Sequence, residues 1–235
     1  MELKINGKVV RAEEGETILN VARREGFVIP TLCYHETLGP MGRCRICAVE
    51  VVEGEKSRVV SSCIYPAREG MQITTDSEAV KLARKKAIQG LLSLAPASDV
   101  IQALANQYGV PQVGYSESQA ENKCILCTQC IKTCKDVVGV AALEMSGKDE
   151  EKKVGPRSDQ SSGTCIACGA CVVVCPTSHV VMEEKNGTRR VWGKDFSLAT
   201  CPKCGRYQAP VSQLEWISQK TGTPTEKLSV CPDCR

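Results

Sequence analysis

Hydrophobic and polar residues alternate from Glu2 to Val10, and the alternation breaks at Asn6-Gly7. That dipeptide tolerates the left-handed backbone of a two-residue turn, so a β-hairpin opens the chain. After Thr17 the period changes: Ile18, Leu19, Val21 and Ala22 share one helical face, with Thr17 as cap, Gly26 as stop and Pro30 beyond. Val49–Val52 and Arg58–Ser62 then read as strands joined by a turn at Glu53-Gly54. Strand, strand, helix, strand, strand in this order predicts a small α+β domain with a mixed sheet wrapped on one helix.

From Ala79 the period is helical again. The basic run Lys81–Lys86 flanks Leu82 and Ala83 at helical spacing and reads as a solvated face rather than a binding patch. A second helix starts at Ser98-Asp99, carries Val100, Ile101, Leu104, Ala105 and Tyr108 as a core stripe, and ends at Gly109 and Pro111. Residues 112–122, polar and containing Gly114, Ser116 and Ser118, form a linker. Segments 124–134 and 165–175 repeat one another, and the polar stretches 147–153 and 158–163 between them read as a surface loop. Asn186-Gly187 marks another turn, and in the region beyond it Leu214, Trp216 and Ile217 supply packing, with core packing as the role of Trp216.

Composition changes the picture at one residue type. With two Phe, two Trp and five Tyr in 235 residues the core is thin, and the abundant stapling residue is cysteine, of which there are sixteen. Residues 1–30 lack a basic start followed by an unbroken apolar run, which argues against export and against a disulfide scaffold. Most cysteines also lie two residues from another, the geometry of chelation by a tight loop. No stretch is apolar enough to span a bilayer, and a cytoplasmic location is expected. The formal charge of +3 counts these thiols as neutral. Bound as thiolates around four centres of about −2 each, they bring the chain to roughly −5, so basicity is no argument for nucleic-acid binding.

The strongest motif is the pair Cys124-x2-Cys127-x2-Cys130-x3-Cys134 and Cys165-x2-Cys168-x2-Cys171-x3-Cys175-Pro176. Three thiolates in a short loop wrap three corners of a cubane, and the fourth cysteine starts a helix that leads away to the other cluster. One [4Fe–4S] cluster is then held by Cys124, Cys127, Cys130 and Cys175, and a second by Cys134, Cys165, Cys168 and Cys171. Two zinc sites would leave the third cysteine of each run unexplained. The segment resembles the two-cluster bacterial ferredoxins, with Lys135 in place of the proline that often follows the first run.

Cys33-x10-Cys44-x2-Cys47-x15-Cys63 has one close pair instead of the two of a zinc ribbon, and suits a flat [2Fe–2S] centre in a loop closed by a distant last ligand. Gly39, Pro40 and Gly42 let the backbone fold tightly there. A Rieske centre uses two histidines, and the chain has only His35 and His179, for which surface or hydrogen-bonding roles are expected. The last four, Cys201, Cys204, Cys231 and Cys234, form two knuckles 26 residues apart and predict a zinc-ribbon-like site of four sulfurs. Zinc fits this site better than a further Fe–S cluster, because neither knuckle supplies a third near ligand.

Pro30–His35, Gly42–Val51 and Ser61–Cys63 carry a wider resemblance, covering residues 1–187. The chain resembles the opening of the large iron–sulfur subunit of respiratory complex I, the diaphorase iron–sulfur subunits of bidirectional hydrogenases, and the iron-only hydrogenases. The resemblance implies a β-grasp [2Fe–2S] domain over 1–79 and a two-[4Fe–4S] ferredoxin-like domain over 123–187, joined by a helical linker over 80–122; beyond the resemblance, the two knuckles mark a four-cysteine metal-binding region over 188–235. Those relatives usually carry a His-x3-Cys-x2-Cys-x5-Cys cluster between the two domains, whereas residues 80–120 here contain neither His nor Cys. The downstream cysteines of a hydrogenase active site are not found either, so hydrogen chemistry is not expected on this chain.

No dinucleotide or phosphate-cradling glycine motif occurs, which places flavin and nicotinamide on another protein. The implied role is an electron-relay subunit of a cytoplasmic NAD(P)H-linked, flavin-containing complex: a hydrogenase, a formate dehydrogenase or an electron-bifurcating transhydrogenase. Its partners would be a flavin- and NAD(P)H-binding subunit, with a second catalytic subunit or a ferredoxin, in a hetero-oligomer without nucleic acid or membrane insertion. A free-standing ferredoxin-like carrier is the alternative reading. A cluster- and zinc-stabilised nucleic-acid binder would require strongly salt-dependent binding.

Overall fold

In the computed structural model, which describes residues 1–157 and 165–235, the opening alternation forms β1 (Glu2–Ile5) and β2 (Lys8–Arg11). They pair antiparallel about Asn6 and Gly7, both left-handed at φ 48° and 84°. Thr17 caps α1 (Ile18–Arg24), its hydroxyl accepting the Asn20 N–H at 3.3 Å. The chain continues through a short pair, β3 (Tyr34–His35) and β4 (Gly39–Pro40), to β5 (Ala48–Glu53), β6 (Lys56–Ser61) and β7 (Gln72–Thr74). The five-stranded sheet runs β2-β1-β7-β5-β6, with β7 parallel to β1 and antiparallel to β5. Ile18, Leu19, Val21 and Ala22 are wholly buried in one core with Leu3, Ile5, Val49, Val51 and Ile73.

The central strand β7 was not legible in the sequence pattern. Three residues are too few to show an alternation, and only Ile73 is buried; pairing on both edges recruits them. By contrast β5, β6 and α1 form where their periods predict them.

Two helices complete this first unit, Met1–Cys127: α2 (Glu78–Leu94) and α3 (Asp99–Tyr108). The reading of Lys81–Lys86 as one solvated face needs correction at two residues. Arg84 is only 6% exposed and donates to the carbonyls of Ala48 at 2.8 Å and Thr75 at 2.9 Å, while Leu82 is 54% exposed. Val80, Arg84 and Ile88 are the inward i, i+4, i+8 row, which turns Leu82 outward. Lys81, Lys85 and Lys86 are solvated as expected. In α3, capped by Ser98, Ile101 and Ala105 pack against Ile88 and Leu92, and Gly109 ends the helix in the left-handed region at φ 60°.

The second unit, Thr128–Arg235, begins with α4 (Gln129–Lys132), which widens into a π turn over Thr133–Val137. A hairpin follows, β8 (Leu143–Ser146) with β9 (Lys153–Pro156). Residues 147–153, read from sequence as loop, are thus the tip and first residue of a hairpin; their charges hide a strand that begins only at Lys153. Ser158–Gly163, read as part of the same loop, lies outside the described residues. After α5 (Ala170–Val173) come four antiparallel strands: β10 (Met182–Lys185), β11 (Thr188–Val191), β12 (Lys194–Thr200) and β13 (Tyr207–Pro210). Asn186-Gly187 makes the first turn, as predicted. The chain ends in α6 (Val211–Thr221) and α7 (Thr225–Leu228), where Leu214 is buried and Trp216 half-buried beneath Lys220 Nζ. Among the described residues no helix is long and apolar enough to cross a membrane.

Arg84→Ala strands two buried carbonyls, and a loss of about 2 kcal/mol or more is expected in urea unfolding followed by circular dichroism. On the same helix, Gly90→Ala meets no atom within 4 Å and should add about 0.5–1 kcal/mol, so opposite shifts of the midpoint are the check.

Candidate iron–sulfur and metal centres

In the first unit the loop after α1 carries Cys33, the loop before β5 carries Cys44 and Cys47, and Cys63 follows β6. Left-handed residues Gly39, Gly42 and Arg45 fold these loops tightly. The backbone N–H groups of Arg43 and Cys44 both donate to Cys33 Sγ at 3.3 Å. All four sulfur side chains are at most 5% exposed. Cys33 and Cys44 share a hydrogen bond that holds Cys33 down to about 6 and pushes its partner up. Cys47 is likewise held at about 6 by Cys63, which is pushed up by Cys47 and, through space, by Cys33 and Cys44. The structure therefore brings all four predicted residues together, as two close pairs. His35 keeps a hydrogen-bonding role, its Nδ1 accepting the Thr37 N–H at 3.2 Å.

The two cysteine runs share left-handed backbone at two equivalent positions. Leu126 and Ala167 both stand at φ 52°, Thr128 at 65° and Gly169 at 80°, and each pair leads into a short helix, α4 or α5. The left-handed turn aims the Leu126 N–H at Cys124 Sγ, 3.4 Å away. Cys124 and Cys127 close the first unit, while Cys130 on α4 and Cys175 just after α5 belong to the second; Cys175 Sγ lies 3.8 Å from Thr177 Oγ1.

Within the second unit one cavity is lined by Cys165, Cys168 and Cys171 together with Cys134 from the other run. Its remaining walls are apolar, among them Val138, Val140, Ile166, Val191 and Trp192. The Ala142 N–H donates to Cys134 Sγ at 3.3 Å. Burial pushes the thiols of Cys134 and Cys165 up and that of Cys171 to about 11, against the pull of the nearby Trp192 indole. The Trp192 Nε1 is itself buried and makes no well-formed hydrogen bond in the protein. Four sulfurs, apolar walls and a spare N–H donor fit a four-iron, four-sulfide group, whose sulfides accept hydrogen bonds.

The C-terminal four close up differently. The sulfurs of Cys201, Cys204, Cys231 and Cys234 all lie within 4.8 Å of one another, and Cys204 and Cys231 are 3.7 Å apart. A single ion holding four sulfurs at about 2.3 Å spaces them about 3.8 Å apart, so this set fits one tetrahedral ion. Arg206, which sequence reading passed over, donates toward Cys231 Sγ at 3.7 Å and pairs with Asp233 at 2.5 Å. It helps hold the Cys204 thiol low.

Comparison with known proteins identifies a two-iron domain and a four-iron motif in the chain. Residues 1–78 match the family described as a 2Fe-2S iron-sulfur cluster binding domain, and residues 161–178 match a 4Fe-4S binding domain. The NADPH-Fe(3+) oxidoreductase subunit alpha of Geobacter sulfurreducens is 30% identical over 93% of this chain, which covers 28% of that protein. The mitochondrial NADH-ubiquinone oxidoreductase 78 kDa subunit of Candida albicans is 28% identical over 66% of the chain and 25% of its own length. A solved NAD+-reducing [NiFe]-hydrogenase chain in the H2-reduced state aligns at a TM-score of 0.55 with 25% identity, over 68% of this chain and 76% of that one. The chain is thus similar to iron–sulfur subunits of NAD(P)H-linked oxidoreductases, and its first 78 residues match the 2Fe-2S cluster binding domain. It spans little more than a quarter of the curated relatives' length.

In this iron–sulfur chain Trp192 and Arg206 are the site neighbours that spacing rules do not find. The one sequence signal for Trp192 is the dipeptide Trp192-Gly193, a hairpin turn with an aromatic where Asn or Asp is usual.

Gly169 sits at φ 80°, and a Cβ there would lie 3.1 Å from Met182 Sδ. Gly169→Ala should destabilise the second cysteine loop by about 1 kcal/mol or more. The measurement is cluster content of anaerobically prepared protein by iron and acid-labile sulfide assay, expected to fall for this variant and to stay constant for Gly90→Ala.

Proposed function

We propose that the chain is the electron-relay subunit of an NAD(P)H-linked, flavin-containing oxidoreductase complex. The observation that carries the reading is one apolar cluster in the first unit, where Cys33 and Cys44 pack with Cys127, Ile125, Ile46 and Leu92. Residues assigned to a two-iron and to a four-iron site are thus held against the same few side chains, the close spacing that a relay needs. Iron–sulfur groups at such sites carry one electron at a time, whereas a nicotinamide delivers two as hydride, so a flavin must stand between them. The names of the relatives, an NADPH oxidoreductase subunit, a complex I subunit and an NAD+-reducing hydrogenase, support the same placement.

The proposed ligand sets follow the cysteines already described. In a β-grasp domain over 1–79, Cys33 and Cys44 hold one iron of a [2Fe–2S] group and Cys47 and Cys63 the other, the two hydrogen-bonded pairs being preformed. In the ferredoxin-like domain over 123–187, Cys124, Cys127, Cys130 and Cys175 hold the first [4Fe–4S] group and Cys134, Cys165, Cys168 and Cys171 the second. Residues 80–122 are the helical linker, and the region over 188–235 holds zinc in a ribbon-like site of Cys201, Cys204, Cys231 and Cys234. The flavin- and NAD(P)H-binding subunit is a separate partner in a cytoplasmic hetero-oligomer, and nothing in this chain supplies its nucleotide site.

Metal analysis of protein prepared without oxygen should return about ten irons and one zinc per chain; about fourteen irons and no zinc would make the C-terminal site a cluster. Cys134→Ser should remove the four-iron signal of the later run and Cys175→Ser that of the earlier one, because the fourth ligand crosses between runs.

The purified single chain should not reduce dyes with NAD(P)H, yet should take electrons from a low-potential reductant and gain the NAD(P)H reaction when its flavin-bearing partner is added. NAD(P)H-dependent dye reduction by the chain alone, free of flavoprotein, would overturn the reading.

A further inference from the structure

Trp192 occupies the first position of the β11–β12 turn at φ 53°, followed by Gly193 at φ 71°. The preceding turn of the same sheet puts Asn186-Gly187 in the same geometry. Asn meets a left-handed backbone with little strain; a bulky aromatic there is uncommon. The sheet thus accepts local strain at one of two equivalent turns, and what it gains is the position of the indole.

That position is specific. The ring packs with Cys171 against the buried cluster of Ala167, Val180 and Val191 and lines the cavity that holds Cys134, Cys165, Cys168 and Cys171. His179 supports it edge-on, with ring centroids 6.3 Å apart. Although Trp192 as a whole is half-buried, its Nε1 is out of contact with solvent and makes no well-formed hydrogen bond in the protein, while it stands near enough to Cys171 to pull that thiol down. Buried N–H donors are almost always paired, so this one is kept for an acceptor inside the cavity.

We propose that the Trp192 indole N–H donates a hydrogen bond to a sulfur of the second [4Fe–4S] site, either Cys171 Sγ or the sulfide beside it, and thereby raises that cluster's reduction potential. Reduction adds negative charge to the sulfurs, and a donor stabilises the more negative state more. Trp192 is in this sense a tuning residue, distinct from the ligands. The inference rests on the ligand assignment of Cys134, Cys165, Cys168 and Cys171 made above.

The test is an EPR-monitored redox titration of the holoprotein and of Trp192→Phe, which keeps the ring and removes the donor. At a fixed potential the reduced-to-oxidised ratio of the second cluster should fall by between about threefold and tenfold, tenfold being about 59 mV for one electron. The other clusters should not move, and Trp216→Phe should move none. Because Trp192→Phe risks losing the cluster, a second measurement uses the native tryptophan: indole-¹⁵N labelling in the Trp216→Phe background leaves Trp192 as the sole labelled site. Pulsed ENDOR on the reduced second cluster should then detect a ¹⁵N coupling. An intact second cluster with no coupling and an unshifted potential in Trp192→Phe overturns this inference alone. If no four-iron signal is lost in Cys134→Ser, the ligand assignment falls and this inference with it.

Discussion

The fold depends on where left-handed backbone is forced on residues that resist it. Leu126, Thr128 and Ala167 sit at positive φ, as does Arg45 between Cys44 and Cys47. Each such L-residue costs about 1 kcal/mol or more relative to ordinary backbone. Left-handed backbone recurs at the same two places in both cysteine runs, with glycine meeting it only at Gly169, so it is part of the design of the loop. A left-handed residue every second position keeps the chain coiling around one point, so that successive sulfurs and the N–H groups between them face the same side. Thiolate–metal bonds at these cysteines would offset the strain, and each coil passes into the short helix that follows it.

Protonation is the second half of the same coupling. Among Cys33, Cys44, Cys47 and Cys63 one thiol of each hydrogen-bonded pair is pulled down and its partner is pushed up. Four thiolates at most 5% exposed would repel one another with little water to screen them, as the effect of Cys33, Cys44 and Cys47 on Cys63 already records. Only a cation among them lets all four ionise, so filling the site releases protons and stabilises the fold in one step.

Period and spacing made much of this legible. The opening hairpin, α1, α2, α3 and the pair β5–β6 follow from alternation, caps and stops, because each is long enough to show its period or carries a strong punctuator such as Asn6-Gly7 or Gly109. The convergence of Cys33, Cys44, Cys47 and Cys63, of Cys134 with the later run, and of the C-terminal knuckles was readable from spacing, since sulfurs two residues apart in a tight loop must face one centre. What escaped was set by tertiary partners. β7 exists because β1 and β5 pair with it, β9 hides behind lysines, and Arg84 is buried because two carbonyls lie within its reach. Trp192 belongs to the same class, an aromatic whose meaning lies in the cavity it lines.

The helix pair between the cysteine sites has a role beyond spacing. Family resemblance would place a further cluster in this stretch, but here α2 and α3 fill it with Ile88, Leu91, Leu92, Ile101 and Ala105. The same side chains form one buried cluster with Cys33 and Cys44 on one side and Ile125 and Cys127 on the other. Asn122 reinforces the junction, its side chain donating to the carbonyls of Leu94 and Cys124 and accepting the Cys124 N–H. Hydrocarbon packing thus ties the start of the first cysteine run to the end of α2 and to the two-iron loop. Close-packed interiors resist compression and hold distances well, and distance is the quantity on which one-electron transfer most depends. Where the His-Cys motif is lacking, the stretch is this helix pair, whose apolar side chains share one buried cluster with Cys33, Cys44 and Cys127.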